Sequence, residues 1–348
     1  MTANLLWQIE PFQGPQNVYG WYVRSPAPGP NLGGQLTQIA LTGGTGFLGA
    51  HVANALTQQG HNLRALVRDT SRAAQLREQG AELVIGDLND GKALRDLVTN
   101  CDCVVHIAGA IKAKTAAELL AINGGGTKNL VAACADVIPD IRLLHVSSVT
   151  AREPELSAYA NSKAASEVSA KAHGGSLVIM RPNAIYGPGD RETLQVFEIA
   201  EAWVQPVLSR PEARIAMIHG EDAANAIAAM VNTRAPTGLF EISDRCTKGY
   251  SWTQITQAAV AAVGGQYRPV PIPAAIMQMA GFVSGQIGRF SSEPPIFNSG
   301  KVREILHGDW AIDPGREIPA EIWTPKINLQ DGFAQTVDWY RQQGWLKT

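Results

Sequence analysis

A tyrosine and a lysine four residues apart, Tyr159 and Lys163, are the side chains in this sequence best suited to proton transfer. Residues at this spacing share one face of a helix, which sets the lysine ammonium beside the phenol. A neighbouring positive charge favours the phenolate and lowers a phenol pKa that starts near about 10. Such a tyrosine gives or takes a proton at a carbonyl or alcohol oxygen. We therefore expect acid/base chemistry rather than a surface tyrosine beside a solvated lysine.

A glycine-rich turn lies between an apolar run at residues 39–41 and a helix that begins near Phe47, the context of a dinucleotide-binding loop. Gly43 is expected to make the tight turn, Gly46 to let the backbone approach a pyrophosphate, and Gly49 to let helix and strand pack closely. The helix N-terminus adds amide donors and the positive end of a dipole. The cofactor-binding residues expected here are Gly43, Thr45, Gly46, Phe47, Leu48 and Gly49. The alternative is a glycine turn that binds nothing.

Both features need a scaffold, and the chain from residue 37 onward alternates strands with helices. Strands that are apolar throughout are expected at 39–41, 63–67, 81–85, 103–107, 141–146 and 177–180. This pattern indicates a doubly wound parallel sheet, in which ligands bind at the carboxyl ends of the strands. The fold class expected is α/β, a Rossmann domain with a smaller, mainly helical C-terminal substrate lobe.

The pattern becomes irregular beyond residue 182, which suggests how the chain divides. The cofactor-binding domain is expected at 36–182 with returning segments at about 214–243, including a possible sheet strand at 215–218, and the substrate lobe at 183–213 and 244–348. Residues 1–35 are rich in proline and aromatic residues. They are either an unstructured extension or an arm packed on the domain or on a second subunit.

A hydroxyl is expected at the end of the fifth strand, where it would bind the substrate oxygen and stabilise developing charge. Ser147 and Ser148 both meet this requirement. The preceding long helix contains Asn-Gly-Gly-Gly-Thr-Lys-Asn from Asn123 onward. Three glycines inside a helix cost about 1 kcal/mol each relative to alanine, which indicates close approach to a neighbouring helix or cofactor, or core packing alone.

These motifs occur in an order that resembles the extended branch of the short-chain dehydrogenase/reductase superfamily, over about residues 37–250. The matching features are the Gly-x-x-Gly-x-x-Gly turn, Asp87, the Asn123 segment, Ser148, Tyr159, Lys163 and residues 181–190. The resemblance implies reversible hydride transfer at a carbonyl or alcohol carbon with Tyr159 as acid/base. It also implies that Ser148, rather than Ser147, contacts the substrate, and that Asn123 stabilises the active-site backbone or a water relay.

Cofactor choice depends on the residue after the second strand, where NAD enzymes carry an acid for the ribose hydroxyls. That position is Val67, followed by Arg68, whose guanidinium suits a 2′-phosphate, so NADP is expected over NAD. Asp69 is expected to cap the next turn instead. The resemblance implies further cofactor contacts from Asp87 and Leu88 at the adenine, Ala108, Gly109 and Ala110 toward the nicotinamide, Lys163 at the ribose, and Pro182 and Asn183.

Three departures from sugar-nucleotide relatives bear on the substrate. Val149 and Thr150 follow Ser148 where dehydratases carry acids, Ala184 replaces a substrate-binding asparagine, and the segment from Ser148 to Tyr159 is short. Together these favour a simple ketone reductase, similar to hydroxysteroid dehydrogenases, dihydroflavonol reductases and keto-ceramide reductases. A nucleotide-sugar epimerase or reductase is the alternative, with Arg214, Arg245 and Arg289 available for a diphosphate. A non-catalytic NADPH-binding subunit of respiratory complex I is the second alternative, although such relatives typically lose the tyrosine or lysine.

Residues 269–288 carry no formal charge, yet their three prolines, three glycines and two glutamines argue against a membrane-spanning helix. Two interpretations remain open. The segment is either a helix buried in the smaller lobe, or an apolar wall over a lipid-like substrate that also contacts a membrane surface.

Composition excludes several other classes of protein. A net charge of −2 gives the chain as a whole no field that favours nucleic acid or acidic lipid. Four cysteines without Cys-x-x-Cys spacing are typical of buried thiols in a reducing compartment, so no metal site is expected. No signal peptide or run of 18 apolar residues appears, so we expect a cytoplasmic protein, either free or peripheral at the inner membrane. A homodimer remains open.

Overall fold

The computed structural model describes residues 37–231, 235–288 and 297–347, so the expectations for residues 1–35 and for Arg289 lie outside the described part. The strands are β1 (Gln38–Thr42), β2 (Asn62–Val67), β3 (Glu82–Ile85), β4 (Cys103–His106), β5 (Arg142–Val146), β6 (Leu177–Pro182), β7 (Ala184–Tyr186), β8 (Gln205–Leu208), β9 (Arg214–Ile215), β10 (Met217–His219), β11 (Gly238–Ile242), β12 (Pro269–Ile272) and β13 (Asp309–Trp310). The helices are α1 (Phe47–Gln58), α2 (Ala74–Glu78), α3 (Gly91–Val98), α4 (Ala116–Leu120), α5 (Gly126–Val137), α6 (Ala158–Ala170), α7 (Leu194–Glu201), α8 (Gly220–Val231), α9 (Trp252–Ala262), α10 (Ala274–Gly288), α11 (Ser299–Leu306) and α12 (Leu329–Gln342).

The central sheet has seven strands in the order β11-β6-β5-β4-β1-β2-β3, and every pairing is parallel. The strand order reverses between β1 and β4, where doubly wound sheets open a crevice for a ligand. All residues of β4 and β5 are buried, because helices cover both faces of the sheet. This architecture confirms the α/β Rossmann fold.

A second core holds the smaller lobe together and is built around aromatic rings. Phe197 of α7 contacts Phe333 and Tyr340 of α12, with ring centroids 4.9 and 5.6 Å apart. Tyr186 of β7 packs edge-on against Phe333 at 4.9 Å and is fully buried. Because β7 follows β6 almost directly, this cluster joins the lobe to the carboxyl edge of the sheet.

Two strands of the smaller lobe differ from expectation. Residues 215–218 do not rejoin the central sheet, because β9 pairs with β13 and β10 pairs with β7 in separate two-stranded sheets. The returning strand is β11 alone, which adds to β6 as the seventh strand. The chain thus leaves the sheet after β6, builds part of the smaller lobe, and comes back.

The uncharged segment at residues 269–288 forms β12 and α10, and it is not buried. Ile276, Met279, Phe282 and Val283 of α10 are each about half exposed or more, at 50, 64, 57 and 48%. Among residues 274–286 of this helix Gly281 is the buried one, and a Cβ there would lie 2.4 Å from Cγ2 of Val302 in α11. The buried-helix interpretation is therefore wrong, since α10 rests on α11 and leaves most of its apolar surface uncovered.

Candidate active site

The glycine turn after β1 is too tight for any other residue at two positions. Gly43 has a φ of +77°, and a Cβ there would lie 2.6 Å from the backbone nitrogen of Ala108. A Cβ at Gly49 would lie 2.0 Å from the carbonyl oxygen of Gly43, so α1 packs directly on the turn. Gly46 precedes α1, and no side chain caps the first turn of that helix. Its free amides therefore suit a phosphate group.

Asn123 lies in a π-helical turn, Ala121–Gly125, that interrupts the predicted long helix between α4 and α5. Its Oδ1 accepts from the Ala110 nitrogen at 2.7 Å, and its Nδ2 donates to the Ala110 oxygen at 2.9 Å. Nδ2 also donates to Ser162 of α6 at 2.8 Å. Asn123 thus clamps the loop after β4, which agrees with the backbone-stabilising role rather than requiring a water relay.

The glycines around Asn123 have separate packing reasons. A Cβ at Gly126 would lie 2.6 Å from Leu88, and one at Gly124 would lie 3.3 Å from Ala165 of α6. A Cβ at Gly109 would lie 2.9 Å from Oδ1 of Asn123. Close approach to α6, to the loop after β3 and to the loop after β4 accounts for Gly124, Gly126 and Gly109, whereas in the described structure a Cβ at Gly125 would meet nothing within 4 Å.

The two serines after β5 have different environments. Ser147 is buried and donates to Oε1 of Glu167 at 2.6 Å, so its hydroxyl is committed to the protein. Ser148 is half-buried and accepts from the hydroxyl of Thr150 at 2.9 Å. Its side chain also lowers the pKa of the Tyr159 phenol. Ser148 is therefore the serine that shares a site with the tyrosine.

The pKa values of Tyr159 and Lys163 reverse one sequence-based expectation. Burial raises the pKa of the Tyr159 phenol to about 12, and the bond from Ser148 only partly offsets this effect. Burial also lowers the pKa of Lys163 to about 8, although the nearby Glu167 carboxylate raises it. Lys163 Nζ donates to the Val146 oxygen at 2.8 Å. The expected lowering of the tyrosine pKa is thus wrong for the chain by itself, since burial outweighs any charge effect of the lysine.

Two buried histidines, which the motifs did not indicate, hold the helices that carry Asn123 and Lys163. His106, at the end of β4, contacts Thr42 through Nδ1 at 2.7 Å and Thr127 of α5 through Nε2 at 3.0 Å. Thr127 in turn donates to the Asn123 carbonyl at 2.7 Å. That bond uses the threonine proton, so Nε2 of His106 must be the donor to Thr127. Burial lowers the pKa of His106 to about 3, so the ring stays neutral.

His145 makes a similar link one strand further along, but through Nε2 alone, since its buried Nδ1 has no hydrogen-bond partner in the described part of the chain. Its Nε2 lies 3.0 Å from Oγ of Ser166, and Ser166 donates to the Lys163 carbonyl at 2.7 Å. The two rings lie side by side with centroids 5.2 Å apart, because His106 and His145 are register partners in β4 and β5. Each histidine therefore ties a strand end to the backbone of one residue expected at the site.

A buried chain of charges extends from Ser147 toward the smaller lobe. Glu167 accepts two hydrogen bonds from Arg181 of β6, both at 2.7 Å. Arg181 lies 3.5 Å from Glu241 of β11, and Arg152 lies 3.4 Å from the other oxygen of Glu241. Arg181, Glu167 and Glu241 are all buried. The sequence offered no signal for these partners, which are distant along the chain.

At the predicted adenosine end the polar residues lie open to solvent. Arg68 follows β2, is exposed, and has no recorded hydrogen bond within the described residues. Asp69 accepts from the Ser71 nitrogen at 2.8 Å, which confirms that it caps the next turn. Asp87 is exposed and accepts from the Asn89 nitrogen at 2.7 Å. This arrangement leaves the Arg68 guanidinium available to a ligand.

Asn183, after β6, has the one buried amide among the described residues whose two polar atoms both lack a partner. The residue is 4% exposed, and its backbone nitrogen donates to the Ile242 oxygen at 3.1 Å. An unpaired buried amide is costly, which suits a ligand group at this position. Pro182 precedes it at the carboxyl end of β6. In the described ranges, no three His, Cys, Asp or Glu side chains are grouped as a metal would require.

Known proteins share this arrangement of motifs and fold. Residues 39–242 match the family described as "NAD dependent epimerase/dehydratase family". A ceramide reductase of Caulobacter vibrioides is 42% identical over 309 residues, covering 88% of this chain and 96% of the relative. A putative dihydroflavonol 4-reductase of Synechocystis sp. is 26% identical, with the same shares covered. The solved structure of DesIV, a dTDP-glucose 4,6-dehydratase of Streptomyces venezuelae, superposes with a TM-score of 0.68 at 21% identity, covering 89% of this chain and 99% of that one.

Proposed function

Because this chain belongs to the NAD-dependent epimerase/dehydratase family, we propose that it is an NADP-dependent reductase of a ketone on a largely apolar substrate. Membership of this family makes the chain an oxidoreductase of the short-chain dehydrogenase/reductase type that uses NAD or NADP. Ketone reduction is supported by the grouping of Ser148, Tyr159 and Lys163 beside the Asn123 clamp.

The residues present fit a dinucleotide. The turn at Gly43 and Gly49 has no room for a Cβ, the first amides of α1 are uncapped, and the Asn183 amide is buried without partners. A bound nicotinamide would supply the hydride. The chain would bind the pyrophosphate at α1 and hold the ribose through Lys163. Asn183 would satisfy its amide against the cofactor.

Tyr159 is suited to the role of proton donor in a reduction. With a pKa raised to about 12 by burial, its phenol is protonated at neutral pH. It would give its proton to the carbonyl oxygen as negative charge develops there, while Ser148 donates a hydrogen bond to the same oxygen. The Lys163 ammonium, brought nearer by a bound cofactor, would then stabilise the phenolate.

Arg68 supports NADP over NAD. Its guanidinium is exposed and unpaired within the described residues, and Val67 leaves no acid to bind a ribose 2′-hydroxyl. A charge-assisted bond to a 2′-phosphate is worth about 1.5–3 kcal/mol. Arg68→Ala should therefore weaken NADPH binding much more than NADH binding, whereas Arg316→Ala, a surface control, should change neither. Equal losses for the two cofactors would contradict the assignment.

The substrate class is inferred from the residues that differ from sugar-nucleotide enzymes and from the named activity of a relative. Val149 and Thr150 stand where sugar-nucleotide dehydratases carry acids, and a relative at 42% identity is named as a ceramide reductase. A long-chain ketone such as a keto-ceramide fits both facts. Such a substrate would keep the enzyme in the cytoplasm near the inner membrane surface. A structural role without catalysis is disfavoured because Ser148, Tyr159 and Lys163 are all present.

A substrate panel tests this proposal directly. NADPH oxidation should be followed with a keto-ceramide, a keto-steroid or flavonoid, and several nucleotide 4-ketosugars. We expect turnover with the keto-lipid. Tyr159→Phe should reduce that turnover about 10²–10⁴-fold while leaving NADPH binding nearly intact, because only the proton donor is lost. Activity confined to nucleotide sugars would restore the epimerase or sugar-reductase alternative.

A further inference from the structure

The apolar face of α10 is unusual because it lies open on the surface of the described structure. Ile276, Met279, Phe282 and Val283 are spaced by three, three and one residues, so Ile276, Met279 and Val283 follow one side of the helix with Phe282 beside them. All four are large and about half exposed or more. A contiguous apolar surface of this kind generally marks an interaction site. We call these four residues the α10 face.

The charge pattern around this face points to the kind of partner. No residue from 269 to 288 is charged, and the flanking residues in the sequence are Arg268 and Arg289. Arg303 and Lys301 are exposed on α11, the helix on which α10 rests, and Lys301 also pairs with Glu304 at 3.1 Å. An apolar helix with cations at its margins complements a bilayer that has anionic headgroups.

An aromatic residue of the interfacial type lies on the strand pair that leads into α10. Trp203 precedes β8 and is 74% exposed, and the guanidinium of Arg268 stacks 3.5 Å from the centroid of its ring. Val270 of β12 pairs with Pro206 of β8 and is also exposed. Tryptophan and arginine together favour the boundary between headgroups and acyl chains.

The helix is suited to lie in a membrane surface and not to cross it. Its 15 residues span about 22 Å at about 1.5 Å per residue, against a hydrocarbon core of about 30 Å. Over the described residues, none of the helices combines the length and apolarity that a membrane span requires. A parallel orientation at the interface is the arrangement that these dimensions allow.

The α10 face is also connected to the site through a single helix. Arg303 of α11 donates to the Leu156 oxygen at 2.7 Å, and Ser157 donates to the carboxylate of Glu304. Ser157 caps the N-terminus of α6, two residues before Tyr159. The α10 face is therefore one helix away from the N-terminus of α6, the helix that carries Tyr159.

We propose that the α10 face docks this protein on the surface of an anionic lipid bilayer. The role of this docking rests on the proposed function, because a docked enzyme would have access to a ketone that resides in the membrane. Three features support bilayer docking: the exposed apolar side chains of α10, the uncharged segment with basic flanks, and the Trp203–Arg268 pair.

Flotation with vesicles of phosphatidylglycerol and phosphatidylcholine tests the proposal without any turnover. The full-length chain should bind these vesicles. In the double variant with Met279→Ser and Phe282→Ser, the partition coefficient of the protein from buffer to vesicles should fall about tenfold, because two large apolar groups no longer enter the interface. Val168→Ser is the matched control, since Val168 is 70% exposed on α6, outside this face. It should bind vesicles like the wild type.

Unchanged NADPH binding and thermal midpoint would show that the double variant is folded. Vesicle binding that is absent in the wild type, or equal in the double variant, would overturn the proposal. A concentration-dependent dimer abolished by the double variant, without vesicle binding, would instead assign the face to a second copy of the chain. If the wild type binds vesicles through this face but reduces no keto-lipid, the proposed function fails and the docking surface remains.

Discussion

At the scale of single residues, burial has a larger effect than the local motif on the pair at the centre of the site. Tyr159 and Lys163 stand four residues apart on α6, as a charge-coupled pair would, yet the lysine donates to the Val146 carbonyl. Desolvation disfavours the charged form of both groups, raising the pKa of Tyr159 and lowering the pKa of Lys163. The chain by itself therefore holds the tyrosine protonated and the lysine easily deprotonated.

The lowered pKa of Lys163, about 8, predicts how cofactor binding depends on pH. NADPH is anionic and binds best to the protonated ammonium, so its affinity should fall as pH rises above about 8. The slope should be at most about tenfold per pH unit, the limit for loss of one proton. Fluorescence titration of NADPH from pH 7 to pH 10 measures this dependence.

Lys163→Arg is the matched variant for that titration, because a guanidinium stays charged throughout the range. Its NADPH affinity should be flat over the same pH interval. The free energy of unfolding of the unliganded wild type should rise with pH over this interval, whereas its NADPH affinity falls. Between about pH 8 and 10.5 the unfolded chain holds this proton more tightly than the folded one, so stability from this group rises with pH. An affinity independent of pH in the wild type would contradict the assignment.

At the scale of elements, the two histidines explain how strand ends and helices are held in register at the site. His106 reaches Asn123 through Thr127, and His145 reaches Lys163 through Ser166. Both histidine rings are neutral, because burial lowers the pKa of His106 to about 3 and that of His145 well below its usual value. The His106 link stabilises the π turn and the His145 link stabilises α6, and neither depends on pH near neutrality.

Thr127→Val tests one of these links, because it removes a hydroxyl with little change of shape. The variant leaves Nε2 of His106 buried without an acceptor, so we expect a loss of about 1–3 kcal/mol in the free energy of unfolding. Thr57→Val in α1 is the control, since Thr57 donates to a helix carbonyl at 2.8 Å but has no recorded histidine partner. Urea denaturation of both variants decides the comparison, and equal small losses would remove the special role of Thr127.

The elements also show what could be predicted from the sequence. Strands β1 to β6 and the helices between them were predictable, because apolar strands and helix-forming segments alternate clearly over residues 37–182. The π turn was not, since the same residues are compatible with a regular helix. The pairing of β9 and β10 was not either, because a short apolar run does not identify its partner strand. Composition likewise could not tell that α10 is exposed.

At the scale of the whole molecule, the buried charges join the two lobes. Glu241 of β11 forms ion pairs with Arg181 of the sheet and with Arg152 of the loop after β5. It also accepts a hydrogen bond from the backbone nitrogen of Asp313 at 3.1 Å. Arg152 also donates to the carbonyl oxygens of Asp309 and Ala311, both at 2.9 Å. The residues of this network come from distant parts of the chain, which is why no local pattern could indicate it.

Glu241→Gln should destabilise the protein by about 1–3 kcal/mol, because it removes the charge that faces the half-buried Arg152 and one of the two carboxylates that face the buried Arg181. Hydrogen exchange should then increase at residues 309–313, which lose their anchor. Glu82→Gln is the control, since Glu82 pairs with Arg64 at 2.7 Å, closer than either arginine approaches Glu241, but its carboxylate is exposed. That change should cost less than about 1 kcal/mol. Similar effects for both glutamates would show that the network adds nothing.

The return of the chain through β11 has a consequence for synthesis on the ribosome. Strand β6, the neighbour of the edge strand β11, is complete at residue 182. Strand β11 is not complete until residue 242 has been synthesised. During that interval one edge of β6 has backbone donors and acceptors without partners. Its apolar side chains Val178 and Met180, which are buried in the folded protein, lie beside that edge. The emerging polypeptide thus passes through a stage open to intermolecular strand pairing, at which a chaperone would have its greatest effect.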